Sequence, residues 1–185
     1  MTCYLIRHGK DDDTVRGGWS SAPLTEEGIA QAERLALTLS QDKAAAITAL
    51  FSSDLPRAMQ TAEILAQRLS LTVAALPQFR ETNNGVLAGM KNSVAEERYP
   101  GLYWNTLQWE EQYPEGESPR MFYERVCKAW QSLKADTAQK AKGDVALVTH
   151  AGVIDVILCI EKGVTYTNRA PCFHIGNAQY VCVEI

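Results

Sequence analysis

Short apolar runs alternate along the chain with stretches in which apolar residues recur every three or four positions, a rhythm of strands feeding helices. Cys3 to Ile6 reads as a buried strand that stops at Arg7-His8-Gly9 and so delivers polar residues to a loop at its carboxyl end. Thr25 is a good N-cap, Glu26 and Glu27 suit a first helical turn, and Ile29, Ala32, Ala36 and Leu39 then follow at helical spacing. Ala45 to Phe51 is the second strand, Ser52-Ser53-Asp54 a turn and cap, and Pro56 opens a helix to about Leu69. Leu71 to Leu76 is the third strand. Met121 to about Ala141 returns to helix, Asp144 to Thr149 is a strand ending at His150, and Val153 to Ile160 is a short apolar helix. Cys172 to Ile175 and Tyr180 to Ile185 complete the strands.

Between Gly85 and Arg120 the rhythm gives way to glycine, proline and aromatics, including Tyr99, Tyr103, Trp104, Trp109 and Tyr113, as expected of an inserted cap. Strands alternating with helices imply right-handed crossovers. The expected architecture is therefore α/β, a three-layer α/β/α sandwich around a mostly parallel sheet, with residues 1–185 as one domain.

Composition narrows the class. Of 185 residues, 46% are hydrophobic and 22% charged, within the ordinary globular range and outside that of disordered or fibrous chains. Folding at this length buries roughly 70% of the unfolded surface, enough for a core without metal or disulfide staples. Lysine and arginine number 18 against 22 acidic residues, and no basic stripe points to nucleic acid. Five cysteines, Cys3, Cys127, Cys159, Cys172 and Cys182, are odd in number and sit in apolar runs without Cys-x-x-Cys spacing, which fits a reducing, cytoplasmic setting. Arg7 and His8 interrupt the N-terminus too early for a signal peptide, and no stretch reaches membrane-spanning length.

Ligands of open α/β sheets bind beyond the carboxyl ends of the strands. Two of the three histidines, His8 and His150, fall directly after predicted strands; Arg57 opens the helix after the second strand and Glu81 follows the third. Four strand ends thus gather Arg7, His8, Arg57, Glu81 and His150. Two arginines and two histidines around one carboxylate make an electropositive pocket in an acidic protein. Phosphate suits it, because a guanidinium fork matches phosphate oxygens. His174 and the cysteines are read as structural, and no cysteine has the Cys-x5-Arg spacing of a thiol-dependent phosphatase.

These residues resemble a known family. Leu5-Ile6-Arg7-His8-Gly9 is similar to the Arg-His-Gly signature of the histidine phosphatase superfamily, which includes the cofactor-dependent phosphoglycerate mutases. Further blocks follow in the family's order: Pro23-Leu24-Thr25-Glu26-Glu27-Gly28, Ser52-Ser53-Asp54-Leu55-Pro56-Arg57-Ala58, Arg80-Glu81 with Gly85 and Gly89, Pro114-Glu115-Gly116-Glu117-Ser118, and Val148-Thr149-His150-Ala151-Gly152-Val153. The resemblance spans nearly the whole chain and implies a phosphoglycerate mutase-like fold. It implies His8 as the nucleophile, favoured in its neutral form by neighbouring arginines. Arg7, Arg57, His150 and the backbone N–H of Ala151 would hold the phosphoryl oxygens. Glu81 would protonate the leaving oxygen and later activate water, with a raised pKa. The scheme calls for no metal and no cofactor; the partner is a small-molecule phosphate ester, with no membrane or nucleic acid, and the oligomeric state is not legible.

The departures matter. Where the family commonly has Glu after Arg-His-Gly, and Asn six residues beyond the histidine, this chain has Lys10 and Thr14. Lys10, Thr14 or Arg16 stand as substitutes for the lost amide. Asp11-Asp12-Asp13 reads as a solvated loop tip, or as a device that repels highly charged phosphates or favours a substrate with a cationic group; three consecutive side chains in a loop do not naturally converge on a divalent metal. The cap is short for a mutase and no tail follows Ile185 to close over the pocket, so water is expected to reach phosphohistidine, and six cap glutamates against three basic residues disfavour polyanions. The leading expectation is a phosphomonoester hydrolase. A phosphoglycerate mutase and a catalytically silent phospho-ligand binding module are the alternatives.

Overall fold

A computed structural model describes residues 1–42 and 45–185. Among these residues the strands β1 (Thr2–Arg7), β2 (Ile47–Ser52), β3 (Val73–Ala75), β4 (Asp144–Thr149) and β5 (Tyr180–Glu184) form one sheet in the order β3-β2-β4-β1-β5. β1, β4, β2 and β3 are mutually parallel, and β5 is an antiparallel edge on β1. The expected α/β sandwich with a mostly parallel sheet is therefore present.

Alternation along the strands builds both layers. Cys3 and Leu5 point to one face and Tyr4 and Ile6 to the other, and the paired β4 residues Val145, Ala146, Leu147 and Val148 divide likewise. Helices α1 (Glu26–Gln41) and α2 (Pro56–Leu69) bury Leu35, Leu39, Ala58, Ala62 and Leu65 on the Tyr4 face. Helices α4 (Pro119–Lys140) and α5 (Ala151–Lys162) cover the Cys3 face with Phe122, Trp130, Val153 and Ile157. Full burial of an apolar side chain such as Phe122 contributes roughly 1.5–3 kcal/mol. Segment 85–120 carries helix α3 (Asn92–Arg98) and gathers a small core of its own from Leu87, Ala95, Leu107 and Tyr113.

The register of β1 on β4 positions the site. Arg7 stands opposite Thr149, and the His8 N–H donates to the Thr149 carbonyl at 3.0 Å. The residues immediately after the two strands, His8 and His150, are thereby set side by side.

Several local expectations change. Cys172–Ile175 is not a strand, because side chains take its backbone groups: the Phe173 N–H donates to Asp155 Oδ1 at 2.8 Å and the Ile175 carbonyl accepts from Arg7 at 2.8 Å. Ile29 is exposed, and Leu35 fills the buried stripe of α1 instead. The turn before α2 provides no side-chain cap, since Leu55 holds that position and Asp54 is engaged elsewhere. No helix among the described residues is long and apolar enough to cross a membrane.

Candidate active site

His8 lies just beyond β1 and is almost fully buried. Its Nδ1–H donates to the Gly9 carbonyl at 2.6 Å, which leaves Nε2 as the acceptor nitrogen, and Arg57 Nε donates to it at 3.2 Å. Burial, and then the Arg57 and Arg7 charges, push the imidazole down to about 3. The ring is therefore neutral at physiological pH, with a lone pair directed into the cluster. Gly9 is required by close approach: a Cβ there would fall 2.4 Å from the Gly28 carbonyl oxygen at the start of α1. The Gly9 N–H donates to Thr61 Oγ1 at 3.1 Å, tying the His8 loop to α2.

Arg57 is 2% exposed, and most of its donors are committed to the chain. Its NH1 donates to the Ser20 carbonyl and hydroxyl at 3.3 Å, and its NH2 to the Gly18 carbonyl at 2.8 Å. The Nε edge, turned toward His8, also meets Asp11 Oδ2 at 3.3 Å. The sequence reading of the acidic run as a loop tip holds for Asp12 and Asp13, which are exposed, and fails for Asp11. Triplet composition could not separate them; a bridge between the Asp11 and Leu24 backbones turns Asp11 inward.

His150 is wholly buried, its ring 5.0 Å from that of His8 and edge-on to it. Its Nε2 pairs with Ser53 Oγ at 2.9 Å. Nδ1 has no hydrogen-bond partner among the described residues, and neither does Nε of Arg7 or of Arg16. A buried polar atom without a partner costs about 1–3 kcal/mol, and such atoms concentrate where a ligand completes them. Burial and the nearby Arg57 hold His150 well below the usual imidazole range.

Glu81 accepts from the Gly152 N–H at Oε2 and from the Thr82 N–H at Oε1, both at 3.1 Å. Desolvation raises its carboxyl above the ordinary value despite these donors and Arg57. A scaffold not read from the sequence holds its backbone. Arg125 donates to the carbonyls of Gln78, Arg80 and Glu81 and pairs with both oxygens of Glu117, while Trp19 Nε1 donates to the Glu81 carbonyl at 2.7 Å. Asp54 grips Arg80 through both carboxylate oxygens. Gly152 is needed here, since a Cβ would lie 2.6 Å from Glu81 Oε1. Gly152→Ala is expected to displace the carboxylate and lower kcat about ten- to a hundredfold while shifting the melting temperature by only a few degrees, which steady-state kinetics and a thermal melt will check.

Arg7, Arg16, Glu81 and Ala151 line a cavity of about 610 Å³, with His8, Arg57 and His150 behind its wall rather than in it. Trp104, Tyr113, Tyr166 and Phe173 supply flat apolar surface, and His174, read as structural from the sequence, lines the same space. Of the three expected substitutes for the missing amide only Arg16 reaches it, stacked on the Tyr103 ring at 4.3 Å. Lys10 turns away to Glu27 at 2.7 Å, and the Thr14 hydroxyl is spent on Asp12 at 2.7 Å. Both are corrections: each side chain finds a nearer carboxylate in its own loop or on α1.

The model of the histidine phosphatase superfamily (branch 1) matches residues 3–185. A probable phosphoglycerate mutase GpmB from Proteus mirabilis is 44% identical over 90 residues, 47% of this chain and 40% of that protein. The mycobacterial glucosyl-3-phosphoglycerate phosphatase superposes with a TM-score of 0.79 at 27% identity, covering 99% of this chain and 89% of its own. The α-ribazole phosphatase of Shigella flexneri shares the fold with a TM-score of 0.84 at 24% identity, covering 100% and 91%. With the Arg-His-Gly loop, the paired histidines and the match across nearly all of its length, the chain belongs to the histidine phosphatase superfamily, branch 1.

Proposed function

We propose that the chain is a phosphomonoester hydrolase working through a phosphohistidine at His8 Nε2. The observation that carries the reading is the convergence of a neutral, buried imidazole with cationic and unpartnered donors: Arg57 on its nucleophilic nitrogen, and His150 Nδ1 and Arg7 Nε without other partners. Nε2 would attack phosphorus as the ester P–O bond breaks, and Glu81 would pass its proton to the departing oxygen. Water would then attack phosphohistidine, returning its proton to Glu81 and releasing phosphate and free His8. Arg57, Arg7 and His150 would stabilise the charge spread over the equatorial oxygens. Ala151, the first residue of α5, adds its backbone N–H to that side.

The aromatic cavity wall supports a monophosphate with a flat or apolar body over a small polyanion. Related structures named as phosphatases agree with hydrolysis, whereas the name of a relative matched over 47% of the chain points to phosphoglycerate mutase. The test is hydrolysis of p-nitrophenyl phosphate with and without EDTA, beside phosphoglycerate interconversion primed by a bisphosphate. The expected result is EDTA-insensitive hydrolysis with interconversion slower by at least about a hundredfold. Dominant interconversion would make the chain a mutase, and phosphate binding without either reaction a silent binding module.

A further inference from the structure

The acidic residue beside the nucleophile is the feature that the reading above leaves unused. NH1 and NH2 of Arg57 are bound to Ser20 and Gly18, so its Nε edge is what it offers toward His8. That one nitrogen has two acceptors, His8 Nε2 at 3.2 Å and Asp11 Oδ2 at 3.3 Å. A phosphoryl group attached to Nε2 and held by the same guanidinium edge therefore meets the Asp11 carboxylate. Two anions forced together in a poorly hydrated site repel strongly unless a proton lies between them.

We propose that Asp11 sets the charge state of the phosphate this site accepts: the bound phosphoryl group and Asp11 share one proton, so the enzyme selects phosphate esters as monoanions. The inference rests on the phosphatase reading and adds a specificity-determining residue to it. Arg57 from α2, Arg7 at the end of β1 and Asp12 in its own loop act on Asp11, and through Arg57 it is linked to Glu81, His8 and His150. His8 and His150 are held neutral, so neither supplies the proton at neutral pH. Thr14 holds the exposed Asp12 carboxyl low, which leaves Glu81, among the described residues of the site, as the other carboxyl that could, and a variant separates the two. Burial raises Asp11, which eases its protonation when an anion arrives.

The test is calorimetric titration of inorganic phosphate into the wild type and Asp11→Asn between pH 5 and 8, in buffers of different ionisation enthalpy. In the wild type we expect proton uptake per phosphate bound to rise from near zero at pH 5, where free phosphate already carries the proton, toward one above the second ionisation of phosphate, with affinity falling about tenfold per pH unit there. In Asp11→Asn the uptake is expected to vanish and affinity at pH 8 to rise at least about tenfold, with Asp11→Ser behaving alike. Equal proton uptake in wild type and Asp11→Asn would assign the proton to Glu81 and overturn the proposal; so would phosphate affinities that agree within twofold at pH 8. Absence of phosphate binding in both folded proteins would overturn the phosphatase reading and this proposal together, whereas pH-independent binding in both would remove only the role of Asp11.

Discussion

His8→Asn is expected to lower kcat for p-nitrophenyl phosphate by at least about a thousandfold, because the amide keeps a polar contact with Arg57 but cannot form a phosphoryl-enzyme. The size follows from the mechanism: without His8 water must attack the ester directly, and the remaining cluster of Arg57, Arg7 and His150 can only orient and stabilise charge. Brief mixing with radiolabelled substrate and an acid quench should find an acid-labile, base-stable label on the wild type and none on His8→Asn. Retention of more than about a tenth of the wild-type kcat would refute His8 as the nucleophile.

The second large effect belongs to Glu81. Glu81→Gln keeps the size of the side chain and one of its two acceptors, for Gly152 or for Thr82, but removes the transferable proton. We expect kcat to fall about a hundred- to ten-thousandfold with an alkyl phosphate, whose leaving alkoxide needs protonation. The first step should suffer much less with p-nitrophenyl phosphate, whose leaving group departs unprotonated. Phosphohistidine should then accumulate, because the water that resolves it has lost its base. The pH dependence has a definite sign. Burial raises Glu81, so the acid needed for cleavage is present below that elevated pKa and lost as pH rises through it. The kcat/KM profile of the wild type on alkyl esters should bend down on its alkaline side, and Glu81→Gln should remove that bend. An unchanged bend in the variant would move the acid role elsewhere.

Much of this centre is legible in the primary structure for a simple reason. His8, His150 and Arg57 each sit at a strand end or in the helix turn after it, and a parallel sheet brings such positions to one edge. Cys3 to Ile6 and Asp144 to Thr149 are apolar enough to announce themselves as strands, and their termini carry the two imidazoles. What stayed hidden depends on contacts between residues far apart in sequence. Arg125 and Glu117 read as ordinary helix and cap charges, yet their bidentate pair fixes the backbone that presents Glu81. The segment around Phe173 has the apolar composition of a strand, but Asp155 claims its amide. Asp11 differs from Asp12 only through the local path of the chain. Lys10 follows directly on the Arg-His-Gly loop, yet Glu27, on the next helix, is its partner at 2.7 Å.

The bond from Arg7 to the Ile175 carbonyl and the bond from Phe173 to Asp155 have a bearing on how selectivity can change. Together they link the start of α5, which follows one imidazole, to the strand that delivers the other, through the very segment that borders the space for the organic part of the ester. Under the proposed function, recognition and turnover would share this wall. Substitutions made there to admit a new molecule will shift Arg7 as well, so variants chosen for altered preference will carry rate changes along with their changes in affinity.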